Sequence, residues 1–137
     1  MLVSTMKSIS ILVVLFLGLL ASCQSVVRYG ERSDASLSGN IREGMATYYA
    51  SEFHGRKTAS GEIYDMNKLT AASVDLPFGT AVRVTNLENR KSVVVRINDR
   101  MPKNSKGRII DVSLAGAKAL EMVQSGVVRV RVEVLSQ

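Results

Sequence analysis

Four carboxylates have neighbours that suit acid–base chemistry. Asp99 and Asp111 each lie at the end of an apolar stretch, Asp99 with Asn98 between, whereas Glu62 and Asp65 lie close together after Gly61. A carboxylic acid that is partly buried at a strand end keeps its proton to higher pH, because burial disfavours the charged form. Such an acid can protonate the leaving oxygen when a glycosidic bond is cleaved. Asp99 and Asp111 are therefore candidates for a general acid.

Both candidates also have a purely structural interpretation. Asp111 lies just before Ser113 and could cap a helix. Asp99 could be a turn residue, or could pair with Arg100 or Arg96. These alternatives stay open from the residues alone.

The other reactive side chains form no recognisable centre. One His (His54) and one Cys (Cys23) cannot make a closed zinc site, and a single Cys excludes an intrachain disulfide framework. Ser60 and Ser73 lack a nucleophile-elbow context, and no phosphate-binding glycine loop occurs. We expect no metal and no cofactor. Five aromatic residues could line a sugar-binding groove or pack in the core: Tyr48, Tyr49, Phe53, Tyr64 and Phe78.

The elements that must position these side chains are mainly strands. Apolar and polar residues alternate, or apolar residues cluster, over 45–50, 80–87, 92–97, 108–112 and 127–135. Ser113 can cap one helix that runs to about Glu121, and Asn89 can take a left-handed turn position between two strands. About six short strands with one or two short helices in fewer than about 100 residues predict a mainly β fold, a small β-barrel, with a β-sandwich as the alternative.

The N-terminus has the pattern of a secretory signal. Lys7 precedes an apolar run over 9–20, and small residues lead to Cys23. Residues 20–23 resemble the lipobox of bacterial lipoproteins, which implies cleavage before Cys23 and its lipidation. Gln24 then implies the outer membrane. Met6 would serve equally well as the start. We expect a signal peptide over 1–22, a lipidated Cys with a flexible tether over 23–42, and one folded domain over 43–137.

Length and charge limit the functional classes. The chain of 137 residues allows one small domain and excludes a multi-domain enzyme. Its formal charge is +6, with 18 Lys and Arg against 12 Asp and Glu. An exported protein meets anionic lipids and the acidic peptides of cell-wall glycan, so we expect these, and no nucleic acid, as the surfaces it faces.

Several motifs, in order, resemble the RlpA (rare lipoprotein A) family. They lie at 44–65, 69–72, 76–80, 82–87, 92–100 and 107–113, so the likeness covers about 43–135. The resemblance implies a six-stranded double-psi β-barrel, a fold shared with expansins and with the catalytic domain of some lytic transglycosylases. It further implies a peptidoglycan lytic transglycosylase that favours glycan strands without stem peptides and acts in cell wall remodelling or daughter-cell separation.

The resemblance also implies site residues. Asp99, in Asn-Asp-Arg, takes the position of the catalytic acid. Supporting or substrate-binding positions fall on Glu62, Asp65, Asp111, Ser73, Tyr64 and Arg100. A non-catalytic, expansin-like peptidoglycan-binding lipoprotein is the alternative.

Three departures from the family pattern bear on that choice. Ser73 replaces a usual His, and serine cannot act as an imidazole acid or base near neutral pH. Met101 replaces a usual Gly beside Asp99, and Tyr48 replaces a usual Trp. Many members also carry a C-terminal SPOR domain; we expect none here, so that any recruitment to the septum comes from elsewhere.

Overall fold

The structure is a computed structural model that describes residues 40–137. The predicted signal peptide, Cys23 and nearly all of the predicted tether lie outside the described residues. Six strands and one α-helix occur in the described part: β1 (Ile41–Tyr48), β2 (Thr70–Ser73), β3 (Ala81–Asn86), β4 (Ser92–Arg100), β5 (Arg108–Val112), α1 (Leu114–Ala119) and β6 (Val128–Ser136). A 3-10 helix, Ser51–Phe53, follows β1. From residue 40 onward, no helix is long and apolar enough to cross a membrane.

The six strands close into a barrel in the order β1-β5-β2-β4-β3-β6. β1 pairs with β5 and β2 with β4 in parallel, whereas the other four pairs are antiparallel. Two parallel pairs within one small barrel need long crossover connections. Because the six strands close on themselves, the barrel prediction is confirmed and the β-sandwich alternative is wrong.

Alternating residues fill the barrel interior as predicted. Val128, Val130 and Val132 of β6 are buried, whereas Arg129 and Arg131 between them are exposed. The same alternation holds in β3 and in the first part of β4. A strand with one buried face must repeat every two residues, which is why the sequence alone predicted which residues are buried.

The largest differences from the predicted strands concern β1, β2 and β4. β1 begins at Ile41, two residues before the expected domain start at 43, because Ile41 and Arg42 pair with β6. β2 was not predicted: all four of its residues are buried, so it shows no alternation. β4 runs on to Arg100, so Asp99 lies within a strand and not in a turn.

Ser113 caps α1 as predicted, since its Oγ accepts the Gly116 amide at 3.2 Å. Asp111 lies in β5 and is not the cap. The turn prediction is wrong in its residue: Arg90, with φ 65°, takes the left-handed position. Asn89 instead donates its side-chain amide to the Leu120 carbonyl at 3.0 Å, which ties the β3–β4 turn to the end of α1.

Candidate active site

Asp99 and Asp111 lie on either side of the same residue. Ala72 of β2 pairs with Asp99 of β4 on one edge and with Asp111 of β5 on the other. Thr47 of β1 continues this row beyond Asp111. Neighbouring strands are about 4.8 Å apart, so the two Asp backbones are separated by roughly 10 Å. The barrel thus brings both predicted carboxylates to one surface.

Three donors hold the Asp99 carboxylate. The backbone amides of Ala59 and Arg100 both donate to Oδ1 at 2.8 Å. The Tyr49 hydroxyl donates to Oδ2 at 3.0 Å. Neither predicted ion pair forms, because Arg96 binds Glu62 and the Arg100 guanidinium points elsewhere. Oδ1 is therefore held by the main chain, whereas Oδ2 accepts only the Tyr49 hydroxyl among residues 40–137.

Tyr49 is a site residue that the sequence did not reveal. Its ring is tilted against Tyr64 (centroids 5.3 Å apart) and Phe53 (5.9 Å). Burial raises the pKa of Tyr49, and the negative charges of Asp99 and Asp111 raise it further. Tyr49 was predicted only as one of five aromatics. Its hydrogen bond to Asp99 joins residues 50 positions apart, and no local pattern signals such a contact.

Glu62 is a fixed anion rather than an acid. Arg96 binds its two oxygens at 2.7 and 2.9 Å, and the Asn98 amide donates at 3.0 Å. These hydrogen bonds lower the pKa of Glu62 to about 2. Glu62 borders an open pocket of about 370 Å³, lined by Glu62, Ile63, Asp65, Lys68, Thr70, Arg96 and Asn98. The pocket therefore offers a permanently charged carboxylate beside two cations.

Asp65 lies in the same pocket, and its Oδ1 accepts the Asn67 amide at 2.9 Å. His54 Nδ1 comes within 3.8 Å of the same oxygen. That nitrogen already accepts the Met66 amide at 3.1 Å, so it carries no proton and the contact is not an ion pair in this geometry. His54 has a structural role in the loop between β1 and β2.

Asp111 belongs to a nearly buried polar network. Its carboxylate accepts the Thr47 hydroxyl and lies 3.2 Å from Arg108 Nη1, which also donates to Thr47 at 3.1 Å. Only 8% of Asp111 is exposed. Its charge reaches Tyr49, which therefore lies within the field of both aspartates.

Three supporting residues act mainly through buried or main-chain groups. Tyr64 is buried, and its hydroxyl accepts the Leu114 amide at 3.2 Å. Ser73 is buried too, and its Oγ accepts the Leu76 amide at 3.3 Å, so its side chain cannot reach a substrate. The Ser73 carbonyl accepts Arg100 Nη1 at 3.2 Å, and the Arg100 guanidinium stacks on the exposed Phe78 ring at 4.3 Å.

The two other departures from the family pattern, Met101 and Tyr48, do not obstruct the site. Met101 is 5% exposed, and it has no positive φ that would require glycine. Its side chain therefore does not project into solvent beside Asp99. Tyr48 packs against the core, and its hydroxyl donates to the Val123 carbonyl at 3.2 Å.

A larger pocket of about 490 Å³ is lined by Met45, Asn104, Ser105, Lys106, Arg108 and Val127. None of the four carboxylates lines it, and it meets the site only through Arg108. Glu62 and Asp65 line the smaller pocket, whereas Asp99 and Asp111 line neither of the two; Asp99 directly follows Asn98, which borders the smaller pocket. We therefore take the smaller pocket together with Asp99 as the candidate site. Between residues 40 and 137, no three His, Cys, Asp or Glu side chains lie close enough together to hold a metal ion.

Sequence comparison places the same chain segment in one family. The family model described as lytic transglycolase matches residues 41–132. A probable endolytic peptidoglycan transglycosylase RlpA from Treponema pallidum is 59% identical over 92 residues, which are 67% of this chain and 29% of the relative. An endolytic peptidoglycan transglycosylase RlpA from Pasteurella multocida is 50% identical over 109 residues, 80% of this chain and 37% of the relative. The chain thus spans about a third of the length of the curated relatives it matches.

Solved structures agree on the fold. A Streptomyces papain inhibitor superposes with a TM-score of 0.57 at 23% identity, covering 71% of this chain and 96% of the inhibitor. A Clavibacter michiganensis expansin mutant in complex with cellohexaose gives a TM-score of 0.56 at 16% identity, covering 69% of this chain and 50% of the expansin. At such identities the likeness concerns the fold alone. The family match over residues 41–132 and the RlpA relatives at 50 and 59% identity show that this chain belongs to the RlpA family of double-psi β-barrel proteins.

Proposed function

We propose that this domain is a peptidoglycan lytic transglycosylase in which Asp99 is the general acid. The geometry of Asp99 carries the proposal: two main-chain amides hold Oδ1, and Oδ2 is free of any cationic partner among the described residues. An acid that was paired with Arg or Lys could not easily hold a proton. The named activity of the RlpA relatives points to the same reaction.

The reaction uses one carboxyl group twice. Asp99 donates its proton to the glycosidic oxygen between N-acetylmuramic acid and N-acetylglucosamine, and the bond from that oxygen to C1 breaks. The resulting carboxylate then takes the proton of the muramic acid C6 hydroxyl, whose oxygen bonds to C1 and closes a 1,6-anhydro ring. No water is consumed, in contrast to ordinary glycoside hydrolysis with its two carboxylates. General acid–base catalysis of this kind contributes roughly 10²–10⁴-fold.

The other predicted site residues take supporting roles in this proposal. Glu62 and Asp65 bind sugar hydroxyls in the pocket beside Asp99, since an ionised carboxylate accepts hydrogen bonds on both oxygens. Asp111 stays paired with Arg108 and supports the site through its charge, which reaches Tyr49. Tyr64 supports the site by accepting the Leu114 amide. Arg100 supports it by donating to the Ser73 carbonyl, which is the only group through which Ser73 acts in this proposal.

The test uses the full chain and purified peptidoglycan, both intact and stripped of stem peptides by an amidase. Mass spectrometry then measures 1,6-anhydro ends. Asp99→Asn is the informative variant, because its amide oxygen can still accept the Ala59 and Arg100 amides while the transferable proton is lost. Glu133→Gln is the matched control: it removes one carboxylate from β6, which does not pair with β4.

We expect anhydro ends from the wild type and from Glu133→Gln, and none from Asp99→Asn. If the wild type yields none from either substrate, the proposed reaction is wrong. Equal yields from Asp99→Asn and the wild type would place the acid elsewhere.

One observation favours a second candidate function, a peptidoglycan-binding protein that does not cut. Ser73 replaces the family's usual His, and its hydroxyl is buried and committed to the Leu76 amide. No imidazole can assist Asp99 from this position. Sedimentation with peptidoglycan, without anhydro products, would support this candidate. Absence of both would indicate an interaction domain of another kind.

We further propose that the chain is lipid-anchored through Cys23, in the outer membrane and facing the periplasm. The lipobox-like residues 20–23 and the following Gln24 support this proposal. More than one acyl chain gives stable anchoring, whereas a single chain binds only marginally. Metabolic labelling with palmitate should mark the wild type and not Cys23→Ala. Membrane fractionation should then place only the wild type in the outer membrane.

A further inference from the structure

The Tyr49 hydroxyl is the one side-chain donor that reaches Asp99 within residues 40–137. It lies 3.0 Å from Oδ2, the oxygen that the two amides on Oδ1 leave free. The proton that Asp99 transfers must leave from this same oxygen. Tyr49 is therefore placed to influence the acid without itself touching the broken bond.

The Tyr49 ring is held on two sides. Tyr64 and Phe53 pack against it at 5.3 and 5.9 Å between centroids. Tyr64 is itself fixed by the Leu114 amide at the start of α1, and the Tyr49 amide donates to the Val112 carbonyl at 3.0 Å. A ring with so little freedom presents its hydroxyl at a constant position, and a preorganised donor loses little entropy when it acts.

The charged and titratable groups around this hydroxyl keep it protonated. Asp99 and Asp111 face it from β4 and β5, Tyr64 faces it from the loop before β2, and the Arg108 cation is taken up by Asp111. The Arg100 guanidinium lies on the Ser73 carbonyl and Phe78. Burial and the two negative charges oppose ionisation of Tyr49, so its hydroxyl remains a donor at any pH at which the protein works.

Resting on the proposed function, we propose that Tyr49 is a positioning residue for the acid: its hydroxyl orients Oδ2 and donates to the Asp99 carboxylate that forms when the proton leaves. The proton on Oδ2 moves to the glycosidic oxygen, and Tyr49 neither gains nor loses one. Its hydrogen bond becomes charge-assisted only as Asp99 ionises, and such bonds are about twice as strong as neutral ones. An interaction that strengthens toward the transition state raises kcat and leaves KM nearly unchanged.

Two conservative variants of the full chain test this role. Tyr49→Phe keeps the ring and removes the hydroxyl beside Asp99. Tyr48→Phe is the matched control, because it removes the hydroxyl of the preceding residue, which donates to the Val123 carbonyl and not to the site. Thermal unfolding of both variants shows whether the fold is kept.

The first readout is kinetic, as anhydro-end formation against pH. We expect Tyr49→Phe to lower kcat roughly 10- to 100-fold with little change in KM, which is the size expected for a lost hydrogen bond to a charged group. The alkaline limit of activity should move to higher pH, because the ionised acid has lost a donor. Unchanged kcat and pH profile, relative to Tyr48→Phe, would overturn the inference while leaving the proposed function intact.

The second readout does not depend on activity. A carboxyl ¹³C NMR titration, with the Asp99 signal identified by its loss in Asp99→Asn, follows the acid directly. We expect its midpoint to rise in Tyr49→Phe, because the ionised carboxylate has lost a donor, and to stay in place in Tyr48→Phe. If the wild type makes no anhydro ends, the proposed reaction fails, and this titration still decides whether Tyr49 controls Asp99: a midpoint that stays in place refutes it.

Discussion

Glu62 allows a quantitative test of the site electrostatics. Its carboxylate is bound by Arg96 at 2.7 and 2.9 Å and by Asn98 at 3.0 Å, and the pKa of Glu62 falls from 4.5 to about 2. Both side chains of the ion pair are 44% exposed, so solvent screens their attraction. For a screened but bidentate pair we expect a contribution of about 0.5–1 kcal/mol to the free energy of unfolding.

The pH dependence of this contribution has a definite sign. Because the pKa of Glu62 is lower in the folded than in the unfolded protein, the unfolded chain binds the proton more readily. The stabilisation is fully present above about pH 4.5 and is lost as the pH falls toward 2. Glu62→Gln should therefore lower stability at pH 7 and have little effect near pH 2.

Thermal unfolding followed by circular dichroism measures this difference. For a domain of this size, about 0.5–1 kcal/mol corresponds to a fall in Tm of about 2–6 °C at pH 7. Glu133→Gln is the control, because the ion pair that Glu133 forms within residues 40–137 is a single contact with Arg83 at 3.6 Å. A Tm difference for Glu62→Gln that persists undiminished at pH 2, or one several times larger at pH 7, would refute the reasoning.

Three further substitutions test the barrel that holds the site. Ser113→Ala removes the α1 cap and should lower the free energy of unfolding by about 1 kcal/mol in urea denaturation. Gly44→Ala places a Cβ 2.6 Å from Ile109 Cγ2, and the resulting overpacking should cost about 1–3 kcal/mol by the same assay. Arg108→Ala leaves the nearly buried Asp111 charge without its cation and should cost about 3 kcal/mol at pH 7; a loss below about 1 kcal/mol would show that solvent reaches that carboxylate.

The sequence by itself determined the features that depend on local pattern. The alternation around Val130 and Val82 fixes which strand faces are buried, because a strand with one face in the core repeats every two residues. The helix cap at Ser113 followed from the preference of Ser for that position. The motif around Asp99 placed the chain in its family, as the match over 41–132 confirms.

Only the tertiary structure decided which of these residues meet. β2 has no periodic signal, yet Ala72 at its centre brings Asp99 and Asp111 to one surface. Two of the three donors to Asp99, the Tyr49 hydroxyl and the Ala59 amide, lie 50 and 40 residues away along the chain. Such contacts arise from parallel pairing and chain crossover, which local propensity does not encode. The sequence therefore predicted the family position of Asp99 but not its hydrogen bond with the Tyr49 hydroxyl.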